Sequence, residues 1–146
     1  MILTNQNNII SIQWEKQQKT CSFDVKKVEQ SIDAILHDFG LQNKEASIIL
    51  VEERKMKALN KRYRGIDEST DVLAFPVDMD YHDKRFLGDI FICCEIAGRQ
   101  AKSYCHCLDE EINILVLHGI LHLLGYDHLT DRGEMARIEN KLRNYL

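Results

Sequence analysis

The chain has 146 residues, of which 45% are hydrophobic and 29% are charged, and its formal net charge is −4. This length and composition are typical of one globular domain with its own core, and they exclude a fibrous or low-complexity protein. The acidic balance also excludes a protein that binds nucleic acid over its whole surface, so any basic contact must be local. We expect residues 1–146 to form a single domain.

The N-terminal segment predicts neither export nor membrane insertion. It has no basic leader before a long apolar stretch, and the chain contains no window of about eighteen uncharged apolar residues. We therefore expect a cytoplasmic protein without a membrane partner. The cysteines lack the paired spacing of a secreted disulfide framework and are expected to be reduced thiols. They are Cys21, Cys93, Cys94, Cys105 and Cys107.

The first half of the chain predicts alternating strands and helices. Alternation of apolar and polar side chains indicates strands, and apolar residues at helical spacing indicate helices. The basic helix should turn Met56, Leu59 and Tyr63 inward. In chain order, we expect a strand at 8–14, a helix within 23–40, a strand at 45–53 and the basic helix at 54–63.

The second half predicts two strands followed by helices. Because residues 72–92 hold two strands with no helix between them, a mixed sheet is favoured over a purely parallel one. The expected fold class is α+β, a small mixed β-sheet packed with helices. After a loop at 64–70, we expect a strand at 71–76, a surface loop at 77–85, a strand at 86–94, and helices at about 95–104, at about 109–124 and from a capping box at Asp131 and Glu134.

Three histidines occur in the stretch HGILHLLGYDH, residues 118–128. His118 and His122 are four residues apart on a predicted helix and face the same side. Gly125 should end that helix in a left-handed conformation, which gives His128 a route back to the other two. Three imidazoles leave one position of a tetrahedral zinc open, and a bound ion is expected to lower the pKa of water to about 7. We predict one Zn²⁺ per chain at these three histidines.

The histidine spacing also coincides with the zinc-binding stretch of metzincin proteases, H-E-x-x-H-x-x-G-x-x-H. The general-base glutamate of those enzymes is replaced by Gly119, which disfavours a peptidase of that mechanism. The identity of the base stays open. Asp71 and Asp89 are candidates for a base or for orienting an imidazole, whereas the orienting role is favoured for Asp127.

A basic stretch runs from Arg54 to Arg64, with six lysines and arginines. Such charges suit a phosphodiester backbone, although a solvated helix face is favoured for most of them. Thr70 and Asp71 follow, and they either line a cleft or stabilise the loop. The segment Cys105-His106-Cys107 lacks a second ligand pair, so thiols near a helix junction are favoured there over a second metal site.

Three motifs resemble the YbeY family of bacterial rRNA-maturation endoribonucleases: LNKRYRGIDESTDVLAFP at 59–76, LGDIFIC at 87–93 and HGILHLLGYDH at 118–128. The resemblance implies an α+β fold with a small mixed sheet and one metal at the three histidines. It implies a functional role for Arg64. It also implies action on single-stranded RNA in 16S rRNA 3′-end maturation and ribosome quality control, with ribosomal partners.

The expected chemistry is metal-assisted cleavage of RNA phosphodiester bonds, with Arg64 neutralising charge on the phosphorus oxygens in the transition state. Attack by water and attack by the ribose 2′-hydroxyl both stay open, as do the physiological metal, the cut position and the oligomeric state. Two alternatives remain. One is a metal-dependent hydrolase of peptides or small molecules, and the other is a non-catalytic ribosome-assembly factor whose metal is structural and closed by a fourth protein ligand.

Overall fold

The computed structural model describes residues 8–16, 21–126, 133 and 137, and this part of the chain forms four strands and four helices. The predicted elements from the first strand to the helix that carries His118 are confirmed. The capping residues Asp131 and Glu134 of the last predicted helix lie outside the described residues. In chain order the elements are β1 (Ile9–Trp14), α1 (Val25–Asp38), β2 (Glu45–Val51), α2 (Glu53–Arg64), β3 (Val72–Pro76), β4 (Phe86–Cys93), α3 (Cys94–Ser103) and α4 (Leu108–Leu123).

The strands form one mixed sheet in the order β1-β2-β4-β3. β1 pairs in parallel with β2 and β2 in parallel with β4, with Ile12 beside Ile48 and Ile48 beside Ile90. β3 pairs antiparallel with β4 because only a short loop without a helix joins them. The predicted α+β class and mixed sheet are therefore confirmed.

Both faces of the sheet are buried. Ile48 and Leu50 of β2 belong to the larger core cluster, which includes residues of α1 and α4. Ile49 and Val51 alternate with them and join a smaller cluster that contains Met56 of α2. A strand buried on both faces reads as a nearly continuous apolar run, which is why SIILV lacks a clear alternation.

α4 is the central helix of the larger cluster. Ten of its sixteen residues are buried, and it packs against β3, β4, α1 and α3. A helix that is apolar on nearly all sides is typical of a buried position. Within the described residues, no helix combines the length and apolar character needed to cross a membrane.

Two expectations about side chains are wrong. Tyr63 is 56% exposed, because its ring packs on Phe75 of the edge strand β3 and does not enter the core. Cys21 and Cys94 form a disulfide, with Cα atoms 5.7 Å apart, so the expectation of reduced thiols fails for this pair. Cys93, Cys105 and Cys107 are free thiols, as expected.

Candidate active site

The predicted pairing of two histidines on one helix face is confirmed. His118 and His122 lie one turn apart near the C-terminal end of α4, and their Nε2 atoms are 3.1 Å apart. The two rings meet edge to face, with centroids separated by 4.7 Å. The two ring nitrogens therefore face a common point. Because both side chains are only partly buried, that point lies at the protein surface.

The separation of the two nitrogens fits a shared metal ion. In a tetrahedral zinc site with Zn–N bonds near 2.05 Å, two ligand nitrogens stand about 3.3 Å apart. The observed 3.1 Å between the Nε2 atoms, at which the two rings share a hydrogen bond, is close to that value, so the pair can exchange this bond for a common ion. His128, the third predicted ligand, lies outside the described residues, as does Asp127. The residues that the structure describes contain no group of three metal-ligating side chains.

The chain turns sharply directly after the histidine pair. Gly125 has a φ of +94°, in the left-handed region that favours glycine. Its N–H donates to the carbonyl of His122, and the N–H of Tyr126 donates to the carbonyl of Leu121, each at 3.0 Å. This pair of bonds is a Schellman motif, so the predicted C-terminal glycine is confirmed.

Gly119 is required by packing against the sheet. A Cβ atom at this position would stand 2.8 Å from Cγ2 of Ile90 on β4, so α4 lies against the strand with no room for a side chain. The metzincin glutamate would occupy this position. Packing of α4 on β4 therefore excludes a general-base glutamate at position 119. The sequence alone showed only that this glutamate is missing.

A cleft of about 530 Å³ opens on one side of the histidine pair, and both His118 and Asp71 line it. Asp71 accepts a hydrogen bond from the backbone N–H of Val72 at 2.8 Å and one from Gln100 Nε2 at 3.3 Å. Thr70 donates its hydroxyl to the same carboxylate at 3.3 Å. Asp71 thus has both functions that the sequence left open, lining a cleft and stabilising the start of β3.

The same cleft contains a histidine–carboxylate pair that the sequence analysis missed. Nε2 of His106, in the turn before α4, lies 2.5 Å from Oε1 of Glu111 in the first turn of that helix. The two side chains are only 17% and 4% exposed. From the sequence, His106 could be weighed only as a metal ligand beside two cysteines. Its partner Glu111 becomes apparent only when the turn is folded.

A second cleft, also of about 530 Å³, includes His122 and the loop at 77–85. Most of this loop is exposed as predicted, but Lys84 is buried and donates to the carbonyl of Val77 at 2.7 Å. Lys44 donates in turn to the carbonyl of Lys84 at 2.5 Å. Burial lowers the pKa of Lys84. The histidine pair therefore lies between two clefts, one of which has a wall fixed by buried ammonium groups.

Arg64 lies exposed at the C-terminal end of α2 and is not among the residues that line either cleft. The neighbouring guanidinium of Arg62 lies 5.3 Å from the ring centre of Tyr63, a cation–π contact. The basic residues of α2 are exposed, which agrees with the expected solvated face. The role of Arg64 stays a prediction.

Asp89 does not join the histidine pair. Its neighbour Ile90 packs on Gly119 of α4, and successive side chains of a strand point to opposite faces of a sheet. Asp89 therefore points to the face that α2 covers. Of the three candidate carboxylates, Asp71 is the one that the described structure brings to a cleft shared with His118.

The fold and the site define a compact mixed α+β unit with a candidate metal centre on its central helix. The family model described as Endoribonuclease YbeY matches residues 12–146. A protein of Aquifex aeolicus named Endoribonuclease YbeY is 40% identical, over 82% of this chain and 79% of its own length. One of Heliobacterium modesticaldum with the same name is 41% identical, over 80% of each chain.

The solution structure of TM1509 from Thermotoga maritima is also similar, with a TM-score of 0.66 and 30% identity. The similarity covers 94% of this chain and 88% of that one. This chain belongs to the endoribonuclease YbeY family.

Proposed function

We propose that this protein is a metal-dependent endoribonuclease that cleaves single-stranded RNA in 16S rRNA 3′-end maturation and in ribosome quality control. Membership of the family supports the endoribonuclease activity. The metal dependence rests on one observation, the 3.1 Å separation of the Nε2 atoms of His118 and His122. A ribosomal substrate implies that the protein acts in the cytoplasm and meets ribosomal proteins there.

One Zn²⁺ would be held by His118, His122 and His128, since an all-imidazole set suits zinc among the common divalent metals. When bound, the ion supplies Lewis-acid chemistry at a phosphoryl oxygen of the substrate. The apolar side chains of α4 around the pair, including Leu115 and Leu117, lower the local polarity and strengthen electrostatic interactions there. Arg64 is proposed to neutralise charge on the phosphorus oxygens in the transition state.

The exposed face of α2 is proposed to bind the RNA backbone. Lys57, Lys61 and Arg62 are all exposed there, although the whole chain carries a net charge of −4. The exposed ring of Tyr63 lies among these charges and offers a surface on which a base can stack. Basic side chains combined with an exposed aromatic ring are typical of single-strand binding surfaces.

The two clefts beside the histidines favour a single strand over a duplex. Unpaired bases can be turned out of the backbone and held in clefts, whereas bases inside an A-form duplex are inaccessible to side chains. The peptidase alternative is disfavoured because Gly119 packs on Ile90 where the protease glutamate would stand. A purely structural metal would need a fourth protein ligand.

The proposal is tested by cleavage of a single-stranded RNA that carries the small-subunit rRNA 3′ end. Wild type is compared with His122→Ala and with the control His37→Ala, which removes an exposed histidine of α1 that pairs with Asp33 at 3.7 Å. Metal content is measured for all three, and the same RNA annealed to a complementary strand tests the preference for single strands.

Wild type and His37→Ala should each hold one metal and cut the single strand, whereas His122→Ala should lose both metal and cutting. Equal cutting by all three preparations would indicate a contaminating nuclease. Metal-loaded wild type that leaves the RNA intact would contradict the endoribonuclease proposal and favour an assembly factor. A metal coordinated tetrahedrally by four protein ligands would likewise favour an assembly factor with a structural metal.

A further inference from the structure

We propose that the cleft next to His118 binds one unstacked nucleobase of the RNA, adjacent to the cleaved phosphodiester, and that it prefers guanine. Its walls include the side chains of Tyr104 and His106, and its polar groups include Asp71, Gln100 and Glu110. This inference rests on the proposed endoribonuclease function and adds a base preference to it.

The dimensions and position of the cleft suit a base beside the reaction centre. Its volume of about 530 Å³ lies within the range of about 300–1,000 Å³ usual for small-molecule sites. Glu111 and His118 are seven residues apart on α4, which corresponds to about 10 Å along the helix axis. The cleft therefore extends from the histidine pair over a distance suited to a neighbouring nucleotide rather than to the reacting phosphate itself.

Two aromatic rings provide stacking surfaces at this cleft. Tyr104 is 67% exposed, and its ring centre lies 5.9 Å from that of His106, with an angle of 34° between the planes. The buried carboxylate of Glu111 holds the His106 imidazole in place through the 2.5 Å contact. Ile114 and Leu115 add apolar surface. Stacking on aromatic side chains is the usual way in which proteins hold unpaired RNA bases.

The charges in the cleft oppose a phosphate and favour a base edge rich in hydrogen-bond donors. Ionised Asp71 and Glu110 are acceptors only, and each has two oxygens. Oδ1 of Asp71 already accepts from the N–H of Val72 and the hydroxyl of Thr70. Its Oδ2 accepts one bond, from Gln100 at 3.3 Å, and so keeps a further acceptor position beside Glu110. Guanine presents N1–H and N2–H₂ side by side on its Watson–Crick edge, which matches a carboxylate. Uracil presents a single donor, N3–H, flanked by two carbonyl oxygens that a carboxylate repels.

The test uses a pool of unstructured single-stranded RNAs with a randomised window, cleaved by the metal-loaded full chain and sequenced at the cut ends. Wild type should show, at one position next to the cut, a preference for guanosine over uridine of about tenfold, equivalent to one or two hydrogen bonds. Replacing that guanosine by inosine, which lacks the 2-amino group, should remove much of the preference.

Three variants assign the preference to this cleft. Glu110→Gln should bring the guanosine-to-uridine ratio close to one, because the amide replaces an acceptor by a donor. Tyr104→Ala should raise the KM for all bases at that position, and Tyr104→Phe should restore it by keeping the ring. Glu29→Gln removes a carboxylate of α1 outside the cleft and should leave the ratio unchanged.

Cutting by wild type without a base preference at any flanking position would overturn the inference while the endoribonuclease activity stands. A guanosine preference that persists in Glu110→Gln, or a KM that stays unchanged in Tyr104→Ala, would also overturn it, because base selection or stacking would then arise elsewhere. Wild type that does not cut RNA would overturn the proposed function, and the inference with it.

Discussion

α4 and α2 differ in burial, and they carry different parts of the candidate site. α4 has ten buried residues and lies in the centre of the core, whereas α2 buries only Met56 and Asn60 and turns its basic side chains to solvent. The histidine pair belongs to the first helix, and the proposed RNA-binding charges belong to the second. A ligand set needs fixed geometry, which packing provides, while binding a flexible backbone needs charge more than rigidity.

This contrast predicts different consequences of substitution. Changes around α4 should alter stability or the reaction centre, and changes to the exposed lysines of α2 should alter affinity and its dependence on salt. The two ends of α2 differ from its middle, because Arg64 is proposed to act at the reaction centre and Glu53 pairs with Arg99 of α3. Five experiments test that division, from the largest expected effect to the smallest.

Gly88→Ala should have the largest effect, because Gly88 supports the end of α4. Its φ is +147°, and a methyl group there would collide with the carbonyl oxygen of Phe75 and stand 2.8 Å from Cδ2 of Leu123. We expect the free energy of unfolding to fall by about 3 kcal/mol or more. Urea unfolding measures it, and Gly98→Ala, in open space on α3, is the control that should not destabilise.

Arg64→Ala should lower kcat by about 100-fold, as expected for loss of one group that stabilises transition-state charge. The metal content and the free energy of unfolding should stay unchanged, because Arg64 is exposed at the end of α2. Arg54→Ala, at the beginning of the same helix, is the control for a general loss of charge. Turnover of Arg64→Ala equal to that of wild type would remove this residue from the mechanism.

Gly119→Ala should lower the free energy of unfolding by about 1–2 kcal/mol, because the clash with Ile90 outweighs the better helix propensity of alanine. The same substitution made in an Ile90→Ala background should cost less than in wild type, since the colliding methyl groups are absent. A double-mutant cycle by chemical denaturation measures this coupling. Additive effects of the two substitutions would contradict direct packing between them.

The double variant Lys57→Gln/Lys61→Gln should weaken single-stranded RNA binding without changing stability. Each phosphate contact that is lost should reduce the slope of log K against log salt by about 0.7. Binding titrations at several salt concentrations measure the slope. The matched variant Lys26→Gln/Lys27→Gln on α1 has the same net charge and should bind as wild type does. Equal slopes for both double variants would argue against α2 as the backbone contact.

Glu53→Gln should have the smallest effect, and only at neutral pH. The hydrogen bonds from Arg99, at 2.9 and 3.3 Å, are the main cause of a pKa of Glu53 below its usual 4.5. A carboxyl with a lowered folded pKa stabilises the fold above pH 4.5 and loses that contribution as the pH falls through the folded pKa. The Tm difference from wild type should therefore shrink on acidification, and it is small because the pair is exposed.

Local patterns were sufficient to predict the element order, the mixed sheet and the shared face of His118 and His122. Periodicity determines helices and strands, and a spacing of four residues determines a helix face. The turn at Gly125 was also predictable, since glycine at a helix end favours the left-handed conformation. The third ligand, His128, lies outside the described residues, and the metal and the role of Arg64 stay predictions.

Features that depend on the path of the folded chain could not be predicted from the sequence. The pair of His106 and Glu111 depends on a folded turn, and the Cys21–Cys94 bond joins positions 73 residues apart. The exposure of Tyr63 depends on which strand forms the sheet edge. Burial of Lys84 depends on a loop carbonyl within its reach. To predict any of these features, one must know which segments become neighbours in the fold, and composition and residue spacing do not carry that information.

The strand order has a consequence for synthesis of the protein on the ribosome. β4 lies between β2 and β3, so the sheet is incomplete until residue 93 has been made. α4 follows it in the chain and needs that sheet as a surface to pack on. A nascent chain emerges from its N-terminus, so the basic helix leaves the ribosome before the histidines do. Translation thus makes the helix proposed to bind RNA first and delays the candidate metal ligands until the sheet that supports them is complete.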